Sequence, residues 1–266
     1  MSLPARLWRI GATGFAFAVF GVITLLLSLS VLPLLALTAA NSDAASRRVQ
    51  RVFYYGCRWF IWLMKSLGLL TYELHGREHL RVPGRLIVAN HPSLIDMVFM
   101  MAWMPQLDCI VKQDLWHNPF LRRAVIWAGY IGNASPEGLV ENCVASLQAG
   151  RSLIVFPEGT RSVPGRRSVF RRGAAHIALR SGADVVPLRI RCEPVMLTKG
   201  SKWYQVPEQT PHYIFEALVP LHPERGRRES EANGATARRL TLQLESMLLD
   251  PHPRPAAAAV QVLSLQ

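Results

Sequence analysis

Hydrophobic and polar positions alternate with three different rhythms along this chain. From Ile10 to Ala40, 31 residues pass without a charge. As one helix they would span about 46 Å at 1.5 Å per residue, against roughly 30 Å for a hydrocarbon core. The segment is expected to be membrane-embedded. Ser28, Ser30 and Pro33 offer places to bend, so one tilted span and a re-entrant hairpin both fit. The apolar stretch is too long for a typical signal peptide, and Ala36 to Ala40 makes only a weak cleavage site. From Val52 to Leu70, Phe53, Tyr54, Tyr55, Trp59, Phe60, Trp62 and Leu63 mix with Arg58 and Lys65. That composition suits an interfacial helix, while the same aromatic stripe also serves as ordinary core material.

After Gly76 the runs shorten. Leu86 to Val88, Cys109 to Val111, Leu153 to Phe156 and Val185 to Ile190 read as buried strands. Helices are expected between them at Asp96 to Trp103, Pro119 to Ala128, Pro136 to Gln148 and Arg172 to Arg180, with Gly150 and Gly182 as stops after two of them. Tyr213 to Val219 makes a further strand, and Ala235 to Leu249 has the leucine spacing of a closing amphipathic helix. Alternating strand and helix predicts an α/β fold, a mixed and largely parallel sheet covered by helices. Three regions follow: membrane-embedded and interfacial helices over 1–75, a catalytic domain over 76–250, and a loosely ordered tail over 251–266 that opens Pro-His-Pro-Arg-Pro.

Charge narrows the partners. The chain of 266 residues has a formal net charge of +12, which favours an acidic partner, nucleic acid or an anionic membrane surface. No nucleic-acid motif appears, so a basic membrane scaffold is the non-catalytic alternative. Arg6 and Arg9 precede the apolar segment, whereas Arg47, Arg48, Arg51, Arg58 and Lys65 follow it with only Asp43 opposing them. That bias places the main domain on the cytoplasmic side. Cys57, Cys109, Cys143 and Cys192 are widely spaced, forming neither a metal-ligand pair nor a disulfide framework, and read as buried small hydrophobes.

Two stretches carry candidate chemistry. In Asn90-His91-Pro92-Ser93-Leu94-Ile95-Asp96, Pro92 pushes His91 toward extended backbone and Ser93 is a good N-cap for a helix through Met97 to Met100. His91 then ends a strand and Asp96 sits in the first helical turn, where its carboxylate can reach back to one imidazole nitrogen and leave the other free to take a proton. A capping box between Ser93 and Asp96 explains the same spacing without chemistry. In the second stretch a strand ends abruptly in Pro157-Glu158-Gly159-Thr160-Arg161. Ligands bind at such carboxyl ends in α/β sheets, Arg161 suits a phosphate, and Gly159 permits close approach.

Taken together and in this order, Asn90 to Asp96 and Phe156 to Ser162 resemble the first and third blocks of the glycerophospholipid acyltransferase family, and Val186-Pro187-Leu188 resembles the fourth. The resemblance implies transfer of an acyl chain from a coenzyme A or acyl carrier protein thioester to a hydroxyl on a lysoglycerophospholipid such as 1-acyl-glycerol-3-phosphate. It implies no metal and no bound cofactor. His91 would be the general base and Asp96 its orienting acid, while Glu158, Gly159, Thr160 and Arg161 would contact the acceptor. A membrane lipid acceptor and an acyl thioester donor are the implied partners, at the inner (cytoplasmic) membrane with the catalytic domain facing the cytoplasm. The second block departs from the family: Gly129-Tyr130-Ile131-Gly132-Asn133-Ala134 lacks the arginine that helps bind an acceptor phosphate. Arg122, Arg123 or the arginines between Arg161 and Arg191 are the candidates to replace it, and a non-phosphatidate lipid acceptor is the alternative.

Overall fold

A computed structural model of the chain describes residues 2–112, 122–133, 136–163, 165, 168–223 and 233–249. The short apolar runs form strands because branched side chains on a fully covered pleat bury both faces. In β2 (Leu86–Ala89) all four residues are buried. Leu86 and Val88 enter one core cluster, and Ile87 and Ala89 enter the other. With β1 (Thr71–His75), β3 (Asp108–Val111), β4 (Ile131–Gly132), β5 (Leu153–Val155), β6 (Val185–Glu193) and β7 (His212–Ala217), the sheet has seven strands in the order β1-β7-β6-β2-β5-β3-β4. Every pairing is parallel except β6 with β7, as the mixed, largely parallel expectation requires.

Helices cover both faces. α1 (Leu3–Leu29), α2 (Val31–Leu37), α3 (Ser42–Ser66), the short α4 (Arg77–Leu80), α5 (Asp96–Trp103) and α6 (Arg122–Trp127) contribute to the larger core. α7 (Pro136–Gln148), α8 (Gly173–Ser181) and α9 (Asn233–Leu249) contribute to the other. Gly150 and Gly182 end α7 and α8 with φ of 77° and 70°, the left-handed conformation that glycine adopts at low cost. The start expected for α6 at Pro119, much of the second block's lead-in and the tail from 251 lie outside the described residues. All four cysteines are free and buried.

Two expectations change, and the bend that Ser30 allows is found. The sheet begins at Thr71, ahead of Gly76; β1 is an edge strand with every second residue exposed, so it lacks the continuous apolar run that marks its neighbours. The aromatic segment is not free to lie whole in an interface, because α3 buries Val49, Phe60, Ile61 and Met64 against the core while Tyr55 and Trp62 face outward. The apolar N-terminus is broken at Ser30, whose hydroxyl bonds back to Leu26 O at 2.7 Å in the manner that bends helices. Leu3–Leu37 is long and apolar enough to cross a bilayer, with a mean hydropathy of 2.5 over its best window and 17% of that window buried. It is nonetheless docked. Phe17 and Phe20 pack on Phe60, and Arg9 donates to Pro207 O at 3.0 Å and Thr210 Oγ1 at 2.7 Å.

One buried polar cluster ties α3 to the sheet. Asp108 accepts from Gln50 Nε2 at 2.9 Å, Ser146 Oγ at 2.6 Å, and Arg151 Nη2 and Nε at 2.5 and 2.8 Å. Asp108 is 3% exposed and Arg151 partly so, and removing one partner of such a pair leaves an unmatched buried charge. Asp108→Ala is expected to lower the unfolding free energy by about 3 kcal/mol in a urea titration, the low end for buried pairs since Arg151 reaches solvent; an unchanged midpoint contradicts this.

Candidate active site

β2 hands the chain to the site. Beyond Ala89, the side chain of Asn90 mimics one more residue of strand pairing: Nδ2 donates to Ile190 O at 2.8 Å and Oδ1 accepts from Ile190 N at 2.7 Å. His91 follows, and Asp96 is the first residue of α5. His91 Nδ1 lies 2.9 Å from Asp96 Oδ2, which also accepts the Ser93 N–H at 2.7 Å. One carboxylate oxygen thus meets both the His91 ring and the Ser93 backbone. Ser93 does not cap by its side chain, since Ile95 occupies the N-cap and the Ser93 hydroxyl pairs with Tyr213 Oη at 2.9 Å. Sequence reasoning missed Tyr213; its only signal is an inward position on an alternating strand.

Asp96 is fully buried. Burial raises its carboxyl above the ordinary range, while the hydrogen bond from His91, the His91 charge and the Ser93 N–H pull it back. Its other oxygen, Oδ1, is buried without a hydrogen-bond partner among the described residues. An ionised Asp96 can only accept, so Nδ1 carries the imidazole proton and Nε2 is left basic. The ring stacks on Phe156 with centroids 4.2 Å apart, which fixes its plane.

β5 runs parallel to β2 and adjacent to it, so both carboxyl ends open on the same side of the sheet. The turn after β5 grips the backbone of His91: Glu158 Oε1 accepts its N–H at 2.8 Å, and Ser162 N–H donates to its carbonyl at 2.7 Å. Glu158 is 8% exposed and also accepts from the hydroxyls of Ser162 and Ser168. The carboxylate expected on the acceptor is therefore turned inward. Arg161 Nη1 donates to Leu197 O at 2.9 Å and Thr198 O at 3.0 Å. Gly159 and Thr160 line a cavity of about 810 Å³ together with His91. Its lining includes apolar side chains, among them Phe20, Leu27, Leu32, Phe53 and Met101, and the cations Lys112, Arg161, Arg171 and Lys199. Apolar and cationic side chains thus line the same cavity as His91.

Residues 71–191 match the Acyltransferase family. The match starts at β1 and ends within β6, and contains both stretches. The chain is 27% identical over 138 residues to the 1-acyl-sn-glycerol-3-phosphate acyltransferase of Pseudomonas aeruginosa, covering 50% of this chain and 54% of that protein. To the protein of the same description from Helicobacter pylori it is 34% identical over 111 residues, covering 39% and 47%. The chain thus spans about half the length of the curated relatives it matches. The crystal structure of the 1-acyl-sn-glycerophosphate acyltransferase PlsC from Thermotoga maritima superimposes with a TM-score of 0.66 over 94% of this chain and 99% of that one, at 17% identity. The resemblance read from the motif blocks is borne out, and the fold is shared.

The raised Asp96 carboxyl has a stability consequence. A carboxyl with a folded pKa above its unfolded value costs the fold stability once pH exceeds the unfolded value, and costs nothing below it. Asp96→Asn is therefore expected to raise the melting temperature at neutral pH, and the stability gain should shrink as pH falls toward about 4. A lower melting temperature at pH 7 contradicts the assignment of Asp96 as a buried charge.

Proposed function

We propose that this chain is a membrane-attached acyltransferase that moves a fatty acyl chain from a coenzyme A or acyl carrier protein thioester to the hydroxyl of a lysoglycerophospholipid, with 1-acyl-glycerol-3-phosphate as the first substrate. The observation that carries this reading is the 2.9 Å contact between His91 Nδ1 and the buried Asp96 on the wall of a cavity that is part apolar and part cationic. The names of the relatives support the acceptor class.

In this reaction His91 Nε2 takes the acceptor's hydroxyl proton as its oxygen attacks the thioester carbonyl carbon. The C–S bond then breaks, and the leaving thiolate recovers the proton from the imidazolium. Asp96 stabilises that imidazolium and holds the tautomer that makes Nε2 basic. Glu158 acts through His91, holding its backbone, and Thr160 and Gly159 border the acceptor. The reaction calls for no metal or bound redox group, because a thioester is already activated and the nucleophile is the substrate.

Membrane attachment is supported by the outward apolar side chains of α1 and α2, among them Leu7, Trp8, Val22, Leu26 and Leu34. The arginines after the apolar segment favour the inner membrane with the catalytic domain on the cytoplasmic side. A second reading, the same chemistry on an acceptor without a phosphate, is favoured by Gly129 to Asn133, where no arginine stands. Comparing turnover of lysophosphatidate with that of neutral and amino-acid-headed lysolipids separates the two.

His91→Ala is expected to lower kcat by about 10²- to 10⁴-fold, the usual contribution of a general base. The check is thioester-dependent acylation of 1-acyl-glycerol-3-phosphate by purified protein in mixed micelles. Full activity in the variant would overturn the reading.

A further inference from the structure

The second block's missing arginine leaves an acceptor phosphate without its usual partner, and the cavity wall narrows what can replace it. Of Arg122, Arg123 and the arginines from Arg161 to Arg191, only Arg161 and Arg171 line the cavity among the described residues. Arg180 faces Glu141, and Arg189 and Arg191 pair with Glu216 on the sheet. Arg161 is already engaged, since its Nη1 is held between the carbonyls of Leu197 and Thr198. That bond pins the segment after β6, which is also tied to the His91 loop by Leu94 N–H donating to Leu197 O at 3.1 Å.

Arg171 differs on each point. It is exposed, and no carboxylate among the described residues pairs with it. Its backbone N–H donates to Pro157 O at 2.9 Å, which anchors it to the strand end carrying Glu158 and Gly159. Its guanidinium lies against Gly159 so closely that a Cβ there would stand 3.2 Å from Cζ. Gly159 has φ +68°, so a side chain at this position would be strained in backbone as well as crowded. The glycine of Glu-Gly-Thr-Arg thus gives the neighbouring guanidinium a flat surface beside the acceptor's expected position.

We propose that Arg171 binds the acceptor's phosphate, with Lys199, which lines the same cavity, as a second cation. This rests on the lysolipid acyltransferase reading above. A guanidinium matches a phosphate with two parallel N–H donors, and an ammonium adds a point charge. The acceptor's glycerol then lies between Arg171 and His91, with its acyl chain against the cavity's apolar side chains.

The test is steady-state kinetics of the full chain, varying acceptor and donor in turn. Arg171→Gln should raise KM for 1-acyl-glycerol-3-phosphate about 10- to 100-fold, the worth of a charged hydrogen-bonded pair. Its kcat and its KM for the thioester should stay at the wild-type values, and 1-acylglycerol, as substrate or inhibitor, should bind both proteins equally. Arg171→Lys should recover part of the affinity. An unchanged acceptor KM, or an equal loss toward 1-acylglycerol, overturns the assignment of Arg171 and leaves the acyltransferase reading standing. Wild-type protein that acylates no lysolipid defeats that reading and the assignment with it.

Discussion

His91 is held by its backbone before it is held by its ring. The Glu158 carboxylate on its N–H and the Ser162 N–H on its carbonyl join two turns that lie 67 residues apart in sequence. The join exists because β2 and β5 are adjacent and parallel, so their carboxyl ends emerge side by side. Asn90 adds the third side by pairing with Ile190 on β6. Three neighbouring strands thus fix one histidine, and the His91–Asp96 contact inherits its geometry from that frame. Without it, five residues of loop would have to hold an imidazole and a carboxylate together against their own conformational freedom.

The site also costs the fold something. A carboxylate with no solvent exposure and one unpartnered oxygen is a poor way to stabilise a protein, and Asp96 has both properties. In the proposed reaction its value lies in the proton arrangement it imposes on His91. The surrounding core also borders the site, because the face of the sheet that receives Ile87 and Ala89 is covered by α1, α3 and α5. The helices with the apolar outward surface therefore wall the same cavity that His91 lines. In the proposed reaction a lipid leaving the bilayer reaches the base without crossing bulk water.

Much of this was legible beforehand. Apolar runs bounded by Gly150 and Gly182 marked strands and helices because buried parallel strands and left-handed helix stops leave strong signatures. Asp96 was placed correctly because Pro92 forces a bend that brings residues five apart into contact. What escaped had weak local signals: β1 is half exposed, and β4 has two residues. Sequence could place Glu158 at a strand end, but the direction of its carboxylate depends on Ser162, Ser168 and a backbone N–H from another strand. Tyr213, 120 residues beyond Ser93, reads as plain core until the two hydroxyls meet. The aromatic stripe of α3 served two readings, and burial of Phe60 and Met64 beneath exposed Tyr55 and Trp62 shows the helix has both faces.

The central claim is that Glu158 works by holding His91 and not by touching the acceptor. A double-mutant cycle in kcat, with Glu158→Gln and His91→Ala singly and together, tests it most directly. Residues that act as a unit give losses that do not multiply. The account predicts that Glu158→Gln slows the wild-type enzyme but adds nothing once His91 is gone. Fully multiplicative losses, with the acceptor KM rising in each Glu158 variant, would contradict it.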